Sequence, residues 1–192
     1  IDAHMNFVGG FFDLLSPYTI LCGIAFILVF LYHGALYTCI KTVGAISERA
    51  RATALVEGVV TAVGALVLVG ATYVYTDLFK STLAAVAFAA AIICFLISWG
   101  VTRVRRPGLG FVFSCLTVIF VTVAYFAGLF PRIMVSSLDP AWSLTVSNAS
   151  SSTYTLTLMT VVALVFVPII LIYQAWTYWT FRHRVSEEDL HY

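Results

Sequence analysis

The residues of this 192-residue chain with chemistry beyond packing are four histidines, nine Asp/Glu carboxylates and four cysteines. A redox protein in a membrane holds haem through paired axial ligands, usually two histidines or a histidine and a methionine. Only His33 lies inside an apolar run; His4, His183 and His191 lie near the ends. No second His, Met or Cys pairs convincingly with His33, so it reads as a hydrogen-bonded packing or interface residue. Glu57 is the one carboxylate inside an apolar run, six residues past Arg51. An ionisable group at the centre of a membrane helix costs at least ~2.5–3.5 kcal/mol and is read as functional by default. Two roles fit Glu57, a step on a proton path or a buried ion pair with Arg51 or Arg103; a snorkelling, satisfied Glu is the plain alternative. Cys22, Cys39, Cys94 and Cys115 show neither CxxC nor metal spacing and read as small hydrophobes. No P-loop, zinc-protease, dinucleotide or nucleophile-elbow motif occurs. From its residues alone the chain has no catalytic group and no metal ligand set.

The elements that hold these residues follow from composition. The chain is 61% hydrophobic and 10% charged, with mean hydropathy +1.01 and net charge +1. A soluble domain carries about 25% charged residues, and a disordered segment needs low hydrophobicity with high net charge. Nucleic acid would call for a basic patch or stripe. What remains is an all-α, polytopic helical membrane protein. Charge-poor runs over about 18–40, 53–76, 81–102, 108–130 and 155–181 each suffice for a bilayer core that needs roughly 20 helical residues. They form a single transmembrane domain over 1–192. Spanning strands would be about 9–11 residues long and would alternate polar with apolar.

Lys and Arg set the orientation, because they collect in cytoplasmic loops. Lys41, Arg49, Arg51, Arg103, Arg105, Arg106, Arg182 and Arg184 fall on one side of the five spans; Lys80 and Arg132 fall on the other. Residues 1–17 and the loop 131–153 are therefore expected outside, and the 182–192 tail in the cytoplasm.

Within the second span, Ala54, Gly58 and Ala62 recur at i, i+4 and i+8, a small-residue face that lets helices approach closely. Pro168 predicts a kink in the last span, tolerated where neighbours re-satisfy the freed carbonyl. Trp176 and Trp179, with Tyr173, Tyr178 and Phe181, read as an aromatic belt at the headgroup level; a contact with a quinone, a lipid or a partner is the sharper alternative. Trp142, in an outer loop rich in turn residues but also in apolar ones, joins that group. Asn148-Ala149-Ser150 formally matches a glycosylation sequon.

Several stretches together carry a resemblance: GGFFDLLSPYTILCG at 9–23, His33-Gly34-Ala35 followed by Lys41-Thr42, GLFPRIMVSSLDPAWSLTVSNASSSTYTLTLM at 128–159, and VALVFVPIILIYQAWTYWTF at 162–181. The chain resembles subunit II of the cytochrome bd quinol oxidases over essentially its whole length, with Val135 where the family pattern has proline. It resembles the C-terminal portion of that subunit, from about the fifth helix onward. The first residue is Ile1 and no start signal precedes it, so we expect an upstream half, in the same or a separate chain.

The resemblance implies a four-helix bundle with a peripheral last helix, in a bacterial cytoplasmic membrane. It implies a haem-bearing subunit I as partner, small accessory subunits in some members and surrounding lipid. Haem b and haem d would sit in that partner, none being ligated by this chain. Quinol would be the substrate, and some members hold a structural quinone. The whole complex would oxidise quinol and reduce oxygen to water, and it would build membrane potential by separating proton release from uptake. A transporter would instead show paired broken helices and midplane polar groups, and Pro168 has no counterpart in a matching half. A stand-alone structural membrane protein is the other alternative, distinguished by the absence of copurifying haem.

Overall fold

The computed structural model describes residues 1–186; residues 187–192, which include His191, lie outside the described residues. Among the described residues five helices are long and apolar enough to cross a membrane: α1 Pro17–Lys41, α2 Gly44–Tyr75, α3 Thr82–Arg103, α4 Pro107–Leu129 and α5 Thr153–Thr180. Their starts follow capping rules. The side chains of Ser16, Ser81 and Ser152 accept hydrogen bonds from the backbone N–H of Thr19, Ala84 and Thr155, satisfying N–H groups that lack a partner in the first turn. Pro17 and Pro107 occupy the first turns of α1 and α4, where no N–H is needed.

α2 begins well before residue 53, at Gly44, whose φ of +66° turns the chain sharply after α1. The hydropathy signal misses these turns because Glu48, Arg49 and Arg51 lie in them. At 32 residues α2 is about 48 Å long, more than the ~30 Å apolar core, so its first turns project into the polar zone.

α1 packs along α2 and α3 packs along α4, giving two hairpins that meet through α1 and α4; α2 and α3 touch over a short stretch. One core cluster joins Tyr32, Leu36, Ala54 and Phe95, flanked by Ala62, Trp99 and Phe111. The other joins Leu78, Ala87, Phe88 and Ala124, flanked by Phe79 and Tyr125. Leu78 belongs to the α2–α3 connection and folds back over the bundle end against Gly128.

α5 stands apart from this four-helix unit and buries no residue. It runs without interruption through Pro168. Its ties are at its far end, where the Lys41 ammonium donates to the Phe181 carbonyl, the Val185 N–H to the Lys41 carbonyl (2.8 Å) and the Val43 N–H to the Val185 carbonyl (3.3 Å). Between α4 and α5 the chain forms a small antiparallel pair, β1 Arg132–Met134 with β2 Leu144–Thr145. The buried Ser136 side chain there donates to the Ile1 carbonyl at 2.7 Å, pinning the N-terminal segment to this loop.

Candidate functional site

The interior of the bundle is organised by hydroxyls set into apolar helices. On α3, Ser98 and Thr102 are both fully buried and one turn apart. The Ser98 hydroxyl donates to the Gly110 carbonyl of α4 (2.6 Å), which leaves its oxygen to accept from the Tyr32 hydroxyl of α1 (2.8 Å). Thr102 donates to the Ser98 carbonyl (2.7 Å) and fills the space beside Gly110, where a side chain would collide with it. Three helices are thereby joined at one point with every hydroxyl satisfied. Between α1 and α2, Thr61 donates to the Leu28 carbonyl (3.1 Å).

His33 is half-buried on α1, with its ring against Phe111 (centroids 4.5 Å apart) and Nδ1 2.8 Å from the Ser114 hydroxyl. Ser114 spends its own proton on the Phe111 carbonyl (2.8 Å), so Nδ1 is the donor to Ser114. The ring is held as a strut between α1 and α4 by Ser114 and Phe111, no second His meets it among the described residues, and this setting does not fit a haem ligand.

Glu57 lies half-buried on α2, one residue from the buried face, with neither a hydrogen bond nor an ion pair among the described residues. The arginines proposed for it are engaged elsewhere. Arg51 pairs with Glu48 at 3.0 Å, and Arg103 lies 4.5 Å over the Trp99 ring. Glu48 also reaches Arg105 at 2.9 Å, stitching α2 to the α3–α4 turn. Ala54 and Gly58 are buried and Ala62 is half-buried; Gly58 receives the Cδ1–Nε1 edge of Trp99, whose indole N–H donates to the Leu55 carbonyl at 3.1 Å. Trp142 is half-buried in the loop before β2, while Trp176 and Trp179 are exposed on α5, the latter beneath the Arg182 guanidinium. Asn148 is tied into its turn by the Thr145 N–H and the Ser143 carbonyl. The four cysteines are free thiols, and no group of three metal-ligating residues occurs among the described residues.

Two cavities adjoin each other in the half of the bundle away from the basic loops. An almost wholly apolar cleft of about 480 Å³ lies between the hairpins, lined from all four helices by residues such as Val29, Ala65, Ala91 and Val121. A second cavity of about 410 Å³ lies at the bundle end, lined by Tyr18, Asp77, Leu129 and Arg132 among others. Tyr125 lines both. Its hydroxyl is buried with no hydrogen-bond partner among the described residues, while the nearby Tyr18 hydroxyl bonds Thr72 at 3.1 Å. At this end Asp77 is 2.8 Å from the Lys80 ammonium and 3.8 Å from the Arg132 guanidinium. The hydrogen bond and charge of Lys80, with the charge of Arg132 behind them, hold the Asp77 carboxyl below its usual range.

The sequence pointed to Glu57 and the tryptophans; it did not point to Ser98, Thr102, Tyr32 or the Asp77–Arg132 pair. Their signal was present in the spacing of Ser98 and Thr102 within an otherwise apolar span, a pattern that places two hydroxyls on one helix face.

A family model for cytochrome bd terminal oxidase subunit II matches residues 1–181. Subunit 2 of the cytochrome bd ubiquinol oxidase of Bacillus subtilis (strain 168) is 33% identical over 191 residues, covering 98% of this chain and 56% of that protein. Subunit 2 of the cytochrome bd-I ubiquinol oxidase of Escherichia coli (strain K12) is 32% identical over 224 residues, covering 99% of this chain and 59% of that protein. A probable cytochrome oxidase subunit 2 of Haemophilus influenzae is 30% identical over 206 residues, covering 91% and 54%. The chain thus spans a little over half the length of the curated relatives it matches. With five apolar helices and a family match running from its first residue to the end of α5, the chain belongs to the cytochrome bd terminal oxidase subunit II family.

Proposed function

We propose that this chain serves, with the rest of its subunit, as the non-haem subunit II of a quinol oxidase in a bacterial cytoplasmic membrane. The assembly oxidises quinol, reduces oxygen to water and builds membrane potential by taking protons from one side and releasing them on the other. The observation that carries this is the family match over residues 1–181. Haem b and haem d reside in subunit I. The placement of His33 supports this, because its ring is committed to Ser114 and Phe111. Haem, where bound, supplies the electron-transfer and oxygen chemistry; this chain's residues pack, exclude water and orient the partner.

The partner face includes α5. A helix that buries nothing in its own chain reaches a packed state by meeting another, and small residues and hydroxyls at such faces permit close approach. Trp176 and Trp179 sit where a partner, lipid or quinone would touch α5, and Trp142 does so on the outer loop. Pro168 kinks α5 once it is packed. Ala54, Gly58 and Ala62 form a packing face within the bundle. Glu57 is either a relay for protons or one half of an ion pair completed from outside the described residues; its lack of a partner among the described residues supports both. The basic ends of α1–α2, α3–α4 and α5 lie at one end of the molecule, joined by Lys41–Phe181 and Glu48–Arg105. That supports a cytoplasmic C-terminus, with residues 1–17 and 131–153 outside. An upstream half of the subunit, small accessory subunits and a structural quinone complete the proposed assembly.

The test is oxygen uptake. An assembly purified through a tag on this chain, from its native membrane, consumes oxygen when reduced quinol is added. A pure, intact assembly that does not would refute the proposal.

A further inference from the structure

We propose that the two adjoining cavities form a seat for one phospholipid, with an acyl chain in the apolar cleft and the phosphate against Arg132. This goes beyond the oxidase reading and stands independently of it.

The cleft fixes what its occupant is made of. It lies between membrane helices, with walls drawn from all four, and meets the second cavity at Tyr125. Exposed residues of α2 and α3 at its edge, Leu66 and Ile92, open it sideways to the bilayer. Apolar cavities stay dry, and an empty one forfeits dispersion contacts along its walls. A volume of about 480 Å³ holds no more than roughly one turn of a helix ~10–12 Å across. That excludes a partner helix and suits a flexible chain.

The polar end fixes the headgroup. One donor at the second cavity has nothing to donate to: the Arg132 guanidinium, 27% exposed, makes no hydrogen bond among the described residues. Its nearest carboxylate, Asp77, is 3.8 Å away and already neutralised by Lys80 at 2.8 Å. One carboxylate between two cations leaves a net positive mouth. A guanidinium prefers a bidentate oxyanion, and phosphate is the one a bilayer supplies. Tyr125 lines both cavities, so a single molecule with a phosphate head and an apolar tail satisfies both at once.

The experiment is native mass spectrometry on the delipidated full assembly, titrated with dioleoylphosphatidylglycerol and, separately, with dioleoylglycerol, which has the same chains and no phosphate. The wild-type complex is expected to take up one phospholipid at least about tenfold more tightly than the diacylglycerol, equivalent to ~1.4 kcal/mol. Arg132→Gln, at the mouth and outside the core, removes that preference while diacylglycerol uptake persists. Ala91→Phe fills the cleft and lowers uptake of both. Equal binding of the two lipids by the wild type, an unchanged preference in Arg132→Gln, or a stoichiometric quinone retained in the cleft after delipidation would each overturn the proposal.

Discussion

The hydroxyls of Tyr32 and Ser98 lie 2.8 Å apart inside the bundle, toward its basic-loop end, although they are 66 positions apart in the chain. The bond joins α1 to α3, and the onward bond from Ser98 to the Gly110 carbonyl extends it to α4. Each hydroxyl is buried away from water, so the alternative to this pairing is an unsatisfied group in apolar surroundings, with a penalty of about 1–3 kcal/mol. Ser98→Ala is therefore expected to lower the thermal stability of the assembly more than Tyr32→Phe, because it strands the tyrosine hydroxyl and frees the Gly110 carbonyl. A double-mutant cycle in detergent should give a coupling of about 0.6–1.7 kcal/mol, the range for hydrogen bonds between membrane helices. Strictly additive mutants would remove the bond from the account.

The glycines divide into two classes by what surrounds them. A Cβ on Gly58 would run into the Trp99 ring, and one on Gly110 would meet Thr102 and come 3.2 Å from the Ser98 carbonyl; at Gly23 and Gly70 nothing lies within 4 Å. Gly58→Ala and Gly110→Ala are expected to destabilise by about 1–3 kcal/mol, the usual cost of overpacking. Gly23→Ala and Gly70→Ala should be neutral or slightly stabilising, since alanine is the better helix former. Thermal melts of the four variants check this directly; equal effects in both classes would contradict it.

His33 tests the assignment of haem to the partner. Because Nδ1 is bonded to Ser114 and the ring lies on Phe111, His33→Phe should cost about 1 kcal/mol of packing and hydrogen bonding. It should leave the haem content of the assembly unchanged. Loss of one haem per assembly in a folded His33→Phe variant would mean that this ring is a ligand after all.

The Asp77 carboxyl has a folded-state value below its unfolded one. A depressed carboxylate stabilises the folded form above the unfolded value, about 3.9, and this contribution is lost as pH falls through the folded value. The Asp77–Lys80–Arg132 contact should thus be intact at neutral pH and loosen only in strong acid. Hydrogen exchange across residues 76–82 and 131–135 should stay flat from neutral pH down to the onset of carboxylate protonation after correction for intrinsic rates, then rise. The same rise should follow from high salt, which screens exposed pairs, and should be absent in Asp77→Asn.

Much of this architecture was written in the residues. Charge-poor runs marked five spans, because a helix in lipid satisfies its own backbone groups and leaves only side-chain polarity to signal its ends. The same logic marks the apolar part of α2 and says nothing of where the helix itself starts. Gly44 to Arg51 is helical yet carries three charged residues, and hydropathy reports immersion in lipid while helix formation does not depend on it. The expectation of a peripheral α5 came from the resemblance and not from its pattern, since an all-round apolar helix reads alike whether it packs on its own chain or another. The hydroxyl knot at Ser98, the Asp77–Arg132 pair and the burial of the Tyr125 hydroxyl depend on which elements are neighbours. A single sequence does not encode that in any local spacing. Glu57 shows the converse: its unusual placement was legible, and its partner was not, since neither Arg51 nor Arg103 reaches it.

The measurement that bears most directly on the central claim is a reduced-minus-oxidised absorption spectrum of the assembly that copurifies with this chain in mild detergent. The account predicts bands of both b-type and d-type haem. It further predicts that they remain in His33→Phe, because the ligands belong to the partner subunit. A haem-free spectrum from an intact, monodisperse preparation would contradict the oxidase assignment.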